Sequence, residues 1–245
     1  MLDMFLTTSF WVDVLKIIMI DLLLSGDNAV VIALACRNLP AEQRKKGILF
    51  GMAGAVVLRI VLTFFAVSLL SLPYLKLVGA MLLLWIGIKL ILPEDEHDEG
   101  SIKADARLLG AIKTIIVADF VMSLDNVLGV AAAAQGNVPL LVFGLLISIP
   151  LIAWSSQLVL KVIDRFPYVI FGGGALLGYV AGEMLVSESL FASLLESRPY
   201  LHVLVPVVCA GLVLLVGKWL GQRQLISDNA VDLLDGHSTG SQKQD

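Results

Sequence analysis

Long apolar runs, separated by short polar breaks, make up most of the chain. A helix needs roughly 20 apolar residues to cross a bilayer, and seven runs reach or approach that length. These runs are Phe10 to Ala35, Gly47 to Leu70, Leu75 to Leu92, Leu108 to Ala134, Pro139 to Leu160, Tyr168 to Val186 and Leu201 to Leu220. The pattern therefore predicts an all-α polytopic membrane protein with seven transmembrane helices.

Polar segments divide this pattern into a transmembrane domain and a tail. An acidic linker, residues 93–107, separates the third run from the fourth, and residues 223–245 are polar and poor in large apolar groups. Such a segment buries too little apolar surface to fold by itself. We therefore expect a transmembrane domain over residues 1–222 and a disordered tail over residues 223–245.

The composition agrees with the membrane class. The chain has 245 residues, of which 58% are hydrophobic and 16% are charged, and its mean hydropathy is +0.90. Soluble domains carry about 25% charged residues. The lipid bilayer is thus an expected partner, while the lack of a basic stripe in the sequence argues against a nucleic-acid partner.

The positive charges indicate an orientation. Lysine and arginine lie mainly after the first, third and fifth runs and at the end of the seventh, as with Arg44, Lys103, Lys161 and Lys218. These positions share one side of the membrane if seven spans alternate in direction, and cytoplasmic loops carry the excess of positive charge. We expect a multi-pass protein of the cell's inner (plasma) membrane, with its N-terminus outside and its C-terminus in the cytoplasm.

One polar phrase occurs twice inside the apolar runs. Residues Asp21 to Asn28 read DLLLSGDN and residues Asp119 to Asn126 read DFVMSLDN, so both have the form Asp-x-x-x-Ser-x-Asp-Asn. A carboxylate inside a membrane loses its solvation unless a partner replaces it. Ionisable residues at such depth therefore suggest a functional site.

Similarity between the two halves extends beyond this phrase. The segment ILFGM at 48–52 resembles LVFGL at 141–145, and LPY at 72–74 resembles FPY at 166–168. Repeat one, about 10–92, then matches repeat two, about 108–187, and the span at 201–220 is an extra helix. Because each repeat has three spans, the second crosses the membrane in the opposite sense. Inverted repeats are typical of transporters with an ion site near the midplane.

Helix geometry limits how each phrase meets a shared cavity. Asp21, Ser25 and Asn28 share one face of a regular helix, whereas Asp27 points about 100° away from Asn28. Both acids reach one cavity only if the helix opens locally. Gly26 favours such an opening because glycine weakens a helix interior, while the second copy has a leucine there and is expected to be more regular.

The two phrases offer carboxylate, amide, hydroxyl and backbone oxygens, with Ser25 and Ser123 as the hydroxyls and no histidine or thiol. All-oxygen sites suit Mg²⁺, Ca²⁺ and Mn²⁺, whereas Zn²⁺ and copper ordinarily recruit histidine or cysteine. Four aspartates exceed the charge of one divalent ion. Some can therefore hold protons, which would allow protons to be exchanged for metal.

Two points are left open by the residues alone. The phrases are either an ion site or polar clasps that join helices by hydrogen bonds, and four carboxylates favour the ion site. Arg59 lies inside the second span, where an unpaired cation is costly. It either pairs with the central aspartates or extends to the membrane surface. Lys89 and Glu183, near the ends of their spans, are interpreted as interfacial residues.

The doubled phrase, the Pro-Tyr pair before spans three and six, and the layout of the spans resemble the TerC family of integral membrane proteins, in particular its YjbE-type branch. The resemblance covers about residues 10–220. It implies an exporter, since several relatives in the wider superfamily are linked to manganese efflux. By matching position it also implies the metal-handling residues Asp21, Asp27, Asn28, Asp119, Asp125 and Asn126.

These features predict a transporter, and not an enzyme, that exports a divalent cation without a permanently bound cofactor. Mn²⁺ as the cargo and the outward direction rest on the resemblance. One alternative is an intramembrane aspartyl hydrolase, in which two aspartates of separate helices share a proton. Another is a non-transporting partner that aids metalation of exported proteins beside the secretion machinery. A homo-oligomer is compatible with each of these functions.

Overall fold

The described part of the chain is built from helices. The computed structural model describes residues 8–24, 26–70, 72, 74–93, 101–134, 137–191 and 197–240. The helices are α1 (Thr8–Leu24), α2 (Asn28–Cys36), α3 (Ala41–Leu70), α4 (Leu75–Ile91), α5 (Ser101–Ala134), α6 (Val138–Arg165), α7 (Val169–Val186) and α8 (Leu201–Gly240), with a 3₁₀ turn at Ser189–Phe191. The predicted all-α fold class is confirmed for these residues.

Several of these helices can cross a membrane. Among the described residues, four segments are long and apolar enough, namely Ala41–Phe65, Pro139–Arg165, Val169–Val186 and Leu201–Gln224. The bent pair α1 and α2 makes a fifth if it is counted as one span. Of the other predicted spans, α4 has only 17 residues and the apolar part of α5 carries charged residues. The chain is thus a multi-pass membrane protein with four to five candidate spans, and the count of seven stays a prediction.

The first predicted span is interrupted at its polar phrase. Helix α1 ends at Leu24 and α2 begins at Asn28, and the pair is bent by 58°. A Cβ atom at Gly26 would lie 3.3 Å from the carbonyl oxygen of Leu22, so the turn favours glycine sterically as well. Helix α5 runs without a break through Leu124. The predicted difference between the two copies is confirmed.

The helices enclose an apolar interior and present an apolar exterior. Helix α5 packs on α1, α2, α3 and α4, helix α6 packs on α1, α2 and α3, and helices α4, α7 and α8 pack on one another. Large apolar side chains also lie on the outside, where Leu215 is 72% exposed and Trp154 is 67% exposed. Lipid chains are as apolar as these side chains, so the outer surface suits a bilayer.

Three helices extend into segments that the sequence assigns to loops or to the tail. Helix α3 begins at Ala41, α5 begins at Ser101 inside the predicted linker, and α8 continues to Gly240. The disordered tail over residues 223–245 stays a prediction, although α8 is continuous to Gly240 and residues 241–245 lie outside the described part. Lengthening an existing helix avoids the unfavourable nucleation step. Polar residues with adequate helix propensity can thus continue a spanning helix into water.

Glycines on α7 allow close contact with α8. A Cβ atom at Gly178 would lie 2.7 Å from the carbonyl oxygen of Cys209, and one at Gly182 would lie 2.3 Å from Cα of Pro206. Both neighbours are backbone atoms of α8, so no side chain can rotate to make room. A Cβ atom at Gly172, on the same helix, would meet no atom of a neighbouring described element within 4 Å. The glycines at 178 and 182 therefore set the distance between the two helices.

We expect Gly182→Ala to lower the thermal unfolding midpoint of the purified protein in nanodiscs, because overpacking costs about 1–3 kcal/mol. Gly172→Ala is the matched control on the same helix. It should leave the midpoint unchanged or raise it, since alanine is favoured over glycine in a helix by up to about 1 kcal/mol. Equal effects of the two substitutions would contradict the close α7–α8 contact.

Candidate functional site

Three buried charged side chains meet in the interior. Asp21 lies in the last turn of α1, Arg59 in the second half of α3 and Asp119 in the middle of α5. Asp21 is 1% exposed, Arg59 is 3% exposed and Asp119 is 7% exposed. The neighbouring turns are apolar and buried, as with Ala118 and Val121 beside Asp119. The packing of the helices therefore buries these charged groups away from solvent.

The guanidinium of Arg59 joins the two aspartates. Nη1 donates to Oδ1 of Asp21 and Nη2 donates to Oδ1 of Asp119, which makes two ion pairs. Nε donates to Oγ of Ser123 at 3.0 Å. A planar guanidinium with several fixed donors suits a bridge between acids better than an ammonium group does. The sequence left two positions open for Arg59, and the pairing with the central aspartates is the one observed.

Asp119 accepts hydrogen bonds from three side chains. In addition to Arg59, Nδ2 of Asn28 donates to its Oδ1 at 2.7 Å, and the hydroxyl of Ser123 donates to its Oδ2 at 3.1 Å. Asn28 belongs to the first copy of the phrase and Asp119 to the second, so this contact joins the copies directly. We call Asp21, Asn28, Arg59, Asp119 and Ser123 the ion cluster.

The amide oxygen of Asn28 (Oδ1), in the ion cluster, is buried and has no hydrogen-bond donor among the described residues. Asn28 also lines a cavity of about 20 Å³ together with Arg59 and Asp119. Amide oxygens are common ligands of hard cations. The ion cluster thus contains an unused oxygen ligand beside a small space.

The break between α1 and α2 separates Asp27 from the ion cluster. Asp27 is the N-cap of α2, and its Oδ1 accepts from the backbone N–H of Asn28 at 2.9 Å. The N-terminus of a helix carries a partial positive charge that stabilises a carboxylate. Asp27 is therefore held at the start of the half-helix α2.

A larger cavity is lined by chain neighbours of the ion cluster, since Asp27 precedes Asn28 and Met122 precedes Ser123. Its volume is about 240 Å³, and it is lined by Leu23, Asp27, Met122, Asn126, Val180, Glu183 and Met184. The oxygen donors are two carboxylates and one amide, from α2, α5 and α7. A water molecule needs only about 10–15 Å³, so the cavity has room for several water molecules. We call this space the acidic cavity.

The predicted site residues fall into two groups. Asp21, Asn28 and Asp119 belong to the ion cluster, with Arg59 and Ser123, whereas Asp27 and Asn126 line the acidic cavity. Gly26 is exposed in the helix break. Ser25 and the side chain of Asp125 lie outside the described residues.

The cavity wall contains one acid that the sequence did not assign to the site. Glu183 is predicted to be interfacial, yet it lines the acidic cavity together with Asp27 and Asn126. The available signal was a lone acid in the otherwise apolar helix α7. Lys89 lies over the ring of Trp85 at 5.4 Å, near the end of α4, as an interfacial lysine does.

The donors that are present set limits on a metal site. Within the described residues no three His, Cys, Asp or Glu side chains lie close enough together to hold a metal ion. A cation in the ion cluster or the acidic cavity would therefore need amide, hydroxyl, main-chain or water oxygens besides carboxylates. Such mixed oxygen shells are usual for hard cations that keep part of their water.

Fold and site together define a helical multi-pass membrane protein with a buried ion cluster and an acidic cavity. The family model described as "Integral membrane protein TerC family" matches residues 6–225. The chain therefore belongs to the TerC family, as the resemblance of its doubled phrase predicted.

Several known proteins are similar to most of this chain. It is 39% identical over 213 residues to the "Uncharacterized membrane protein YjbE" of Bacillus subtilis, covering 87% of this chain and 97% of that protein. It is 24% identical over 221 residues to the B. subtilis protein YceF, covering 87% and 84%. It is 24% identical over 175 residues to the "UPF0053 inner membrane protein YgdQ" of Escherichia coli K12, covering 65% and 73%. No solved structure matches the chain.

Breaking the ion cluster should cost more stability than breaking a surface ion pair. Asp119→Asn keeps the shape of the side chain and removes its charge, and we expect it to lower the free energy of unfolding by about 3 kcal/mol, because it leaves a buried cation short of a partner. The measurement is denaturant unfolding of the purified protein in nanodiscs.

Asp164→Asn is the matched control for this prediction. Asp164 pairs with Arg44 at 3.0 Å, and its side chain is 51% exposed. Exposed ion pairs contribute about 0–1 kcal/mol, so this substitution should have little effect. Similar small losses in both variants would contradict a stabilising cluster around Arg59.

Proposed function

We propose that the protein is a membrane transporter that exports a divalent cation, with Mn²⁺ as its cargo. The observation that carries this proposal is that Asp21 and Asp119, one from each copy of the phrase, meet in an apolar interior. Ionisable residues inside a membrane are costly and mark ion pathways. The acidic cavity contains two further carboxylates, those of Asp27 and Glu183. Manganese and the outward direction rest on the family resemblance.

The packing of the helices supports an inverted repeat. In the predicted correspondence, α1–α2, α3 and α4 are equivalent to α5, α6 and α7. Helix α3 packs on α5, and in the same way α6 packs on α1 and α2. The α3–α6 and α4–α7 contacts join equivalent helices, which is compatible with a two-fold axis between the repeats. Transporters with such repeats bind their ions at the interface between the repeats.

We further propose seven membrane crossings, with the N-terminus outside and the C-terminus in the cytoplasm. The 17 residues of α4 make a helix about 25 Å long at 1.5 Å per residue, close to the roughly 30 Å of the hydrocarbon core. Helix α5 has 34 residues and is longer than a bilayer requires. With both as spans, the positively charged breaks lie on one side, which is the cytoplasmic one.

The chemistry of the donors supports a hard or intermediate cation. Asp27 and Glu183 offer carboxylates, and Asn28 and Asn126 offer amide oxygens. Half-helices that begin near the midplane, as α2 does in the proposed arrangement, occur at the ion sites of transporters. Mn²⁺ accepts carboxylate, carbonyl and water ligands, so it fits this donor set.

Charge balance supports an exchange of protons for the metal. The two phrases contain four aspartates. Arg59 compensates one of these charges, so three acids are left when no metal is bound, and protons can neutralise them. A divalent ion that binds would displace two of these protons, which balances the charge of the exchange.

The hydrolase alternative is less well supported by the geometry. A proton-sharing pair of aspartates requires the two carboxyl groups to share one hydrogen. Asp21 and Asp119 each pair with Arg59 instead. The non-transporting partner differs from a transporter in its effect on cellular metal content, which the following experiment measures.

We expect cells that lack the protein to accumulate manganese when metal content is measured element by element by mass spectrometry. The wild-type gene should restore the normal content, whereas Asp27→Asn and Asp125→Asn should not, because each removes a carboxylate from the proposed path. Asp164→Asn, the surface acid, should restore it as fully as the wild type at equal expression.

Two outcomes of this experiment would count against the proposal. Restoration by both site variants would mean that the assigned residues are wrong. Unchanged manganese upon deletion, together with co-purification of a translocon, would favour the non-transporting partner.

In proteoliposomes, we expect Mn²⁺ flux through the purified protein to rise when the proton concentration is higher on the side towards which Mn²⁺ moves. Protons leaving that side would then drive the exchange. Liposomes treated with a proton ionophore are the control and should show the lower flux. If the Mn²⁺ flux does not depend on the imposed proton gradient, proton exchange is ruled out, whereas metal transport is not.

A further inference from the structure

We propose that Arg59 is a tethered substitute for the transported cation, which occupies the Asp21–Asp119 pair when no metal is bound. A metal then binds these acids only after the guanidinium has left at least one of them. The inference rests on the proposed function and adds a competitor to its site. Metal and Arg59 would therefore bind in alternation.

The first argument is that Arg59 and a metal need the same oxygen atoms. Oδ1 of Asp21 accepts from Nη1 of Arg59, and Oδ1 of Asp119 accepts from Nη2. The remaining capacity of Asp119 is largely taken up, since Asn28 also donates to Oδ1 and Ser123 donates to Oδ2. A cation cannot reach these lone pairs while positively charged donors point at them. Displacement of the guanidinium is thus a condition for binding.

The second argument is that the ion cluster contains a ligand that Arg59 does not use. Oδ1 of Asn28 accepts no hydrogen bond within the described residues, although Asn28 is only 4% exposed. Its amide NH₂ group is turned to Asp119 at 2.7 Å, so the oxygen is left for another partner. A buried acceptor without a donor is destabilising. A cation beside Asp119 would satisfy this oxygen, and the guanidinium in its present position does not.

The third argument concerns the empty transporter. An exchanger changes conformation once with the metal bound and once without it, and bare carboxylates in the membrane interior are costly in either case. Arg59 pairs with Asp21 and Asp119 in the metal-free state and compensates one of their two charges, whereas a divalent metal compensates both in the loaded state. A competitor of this kind weakens the apparent affinity for the metal, because only the molecules whose site is open can bind it. It also assists release, because the guanidinium can return as the metal leaves.

The test measures Mn²⁺ binding by full-length protein in nanodiscs, by calorimetry or by the electron paramagnetic resonance signal of free Mn²⁺. Arg59→Gln removes the competitor, and we expect it to bind Mn²⁺ about tenfold or more tightly than the wild type, because the fraction of open sites rises. Release should become slower, so Mn²⁺ flux in proteoliposomes should fall. Arg59→Lys keeps the charge without the bridge and should bind with intermediate affinity.

Arg44→Gln is the matched control. Arg44 pairs with the exposed Asp164, so its loss should leave Mn²⁺ affinity unchanged. If Arg59→Gln does not fold, the effect of this substitution on Mn²⁺ binding is measured in the Asp21→Asn variant, which has one buried acid fewer. The double variant Asp21→Asn with Arg59→Gln should bind Mn²⁺ more tightly than Asp21→Asn alone, because Asp119 is then free of its guanidinium.

The outcomes distinguish this inference from the proposed function. Equal or weaker Mn²⁺ binding by folded Arg59→Gln, with normal flux in the wild type, would overturn the tethered cation and leave transport standing. Binding by Arg59→Gln without binding by the wild type would support the competitor. A lack of Mn²⁺ binding and flux in every variant and in the wild type would overturn both.

Discussion

Asp21, Arg59 and Asp119 form an ion bridge in surroundings of low dielectric, where a charge without a partner is strongly destabilising. Each member is therefore tolerated only while the others are in place. Because α1, α3 and α5 each contribute one member, the bridge also holds together helices that are distant in sequence. Asn28 and Ser123 add neutral hydrogen bonds that orient Asp119. Stability and the proposed ion chemistry thus depend on the same atoms.

The interruption of the first span distributes neighbouring residues between two regions. Asp27 and Asn28 adjoin in the chain, yet Asn28 contacts Asp119 and Asp27 lines the acidic cavity. Helix α5 keeps its hydrogen bonds through the corresponding positions. The two halves therefore differ in backbone structure although they carry the same phrase. Asp27 caps the first turn of α2 by accepting from the N–H groups of Asn28 and Val30, a role that a residue inside an unbroken helix does not have.

Much of this protein follows from its residues alone. Apolar runs of bilayer length indicate a membrane protein, because such runs fold in lipid as helices whose backbone groups pair within the segment. The doubled phrase marks the polar interior, since aspartates are rare at that depth. The opening at Gly26 was also predictable, because glycine is a local property of the chain. The helical extension of α8 to Gly240 was not, since low hydrophobicity limits burial and does not by itself end a helix.

Contacts between residues that are distant in sequence could be identified only from the packed helices. Arg59 lies 38 positions from Asp21 and 60 positions from Asp119, and no periodicity of the sequence indicates which acids its long side chain reaches. The same holds for Glu183, which joins Asp27 at the acidic cavity through the packing of α7. Residue types and the positions of helices along the chain are local properties, so they can be predicted from the amino-acid sequence. Which charges compensate one another depends on distances between helices, and these arise only when the helices pack.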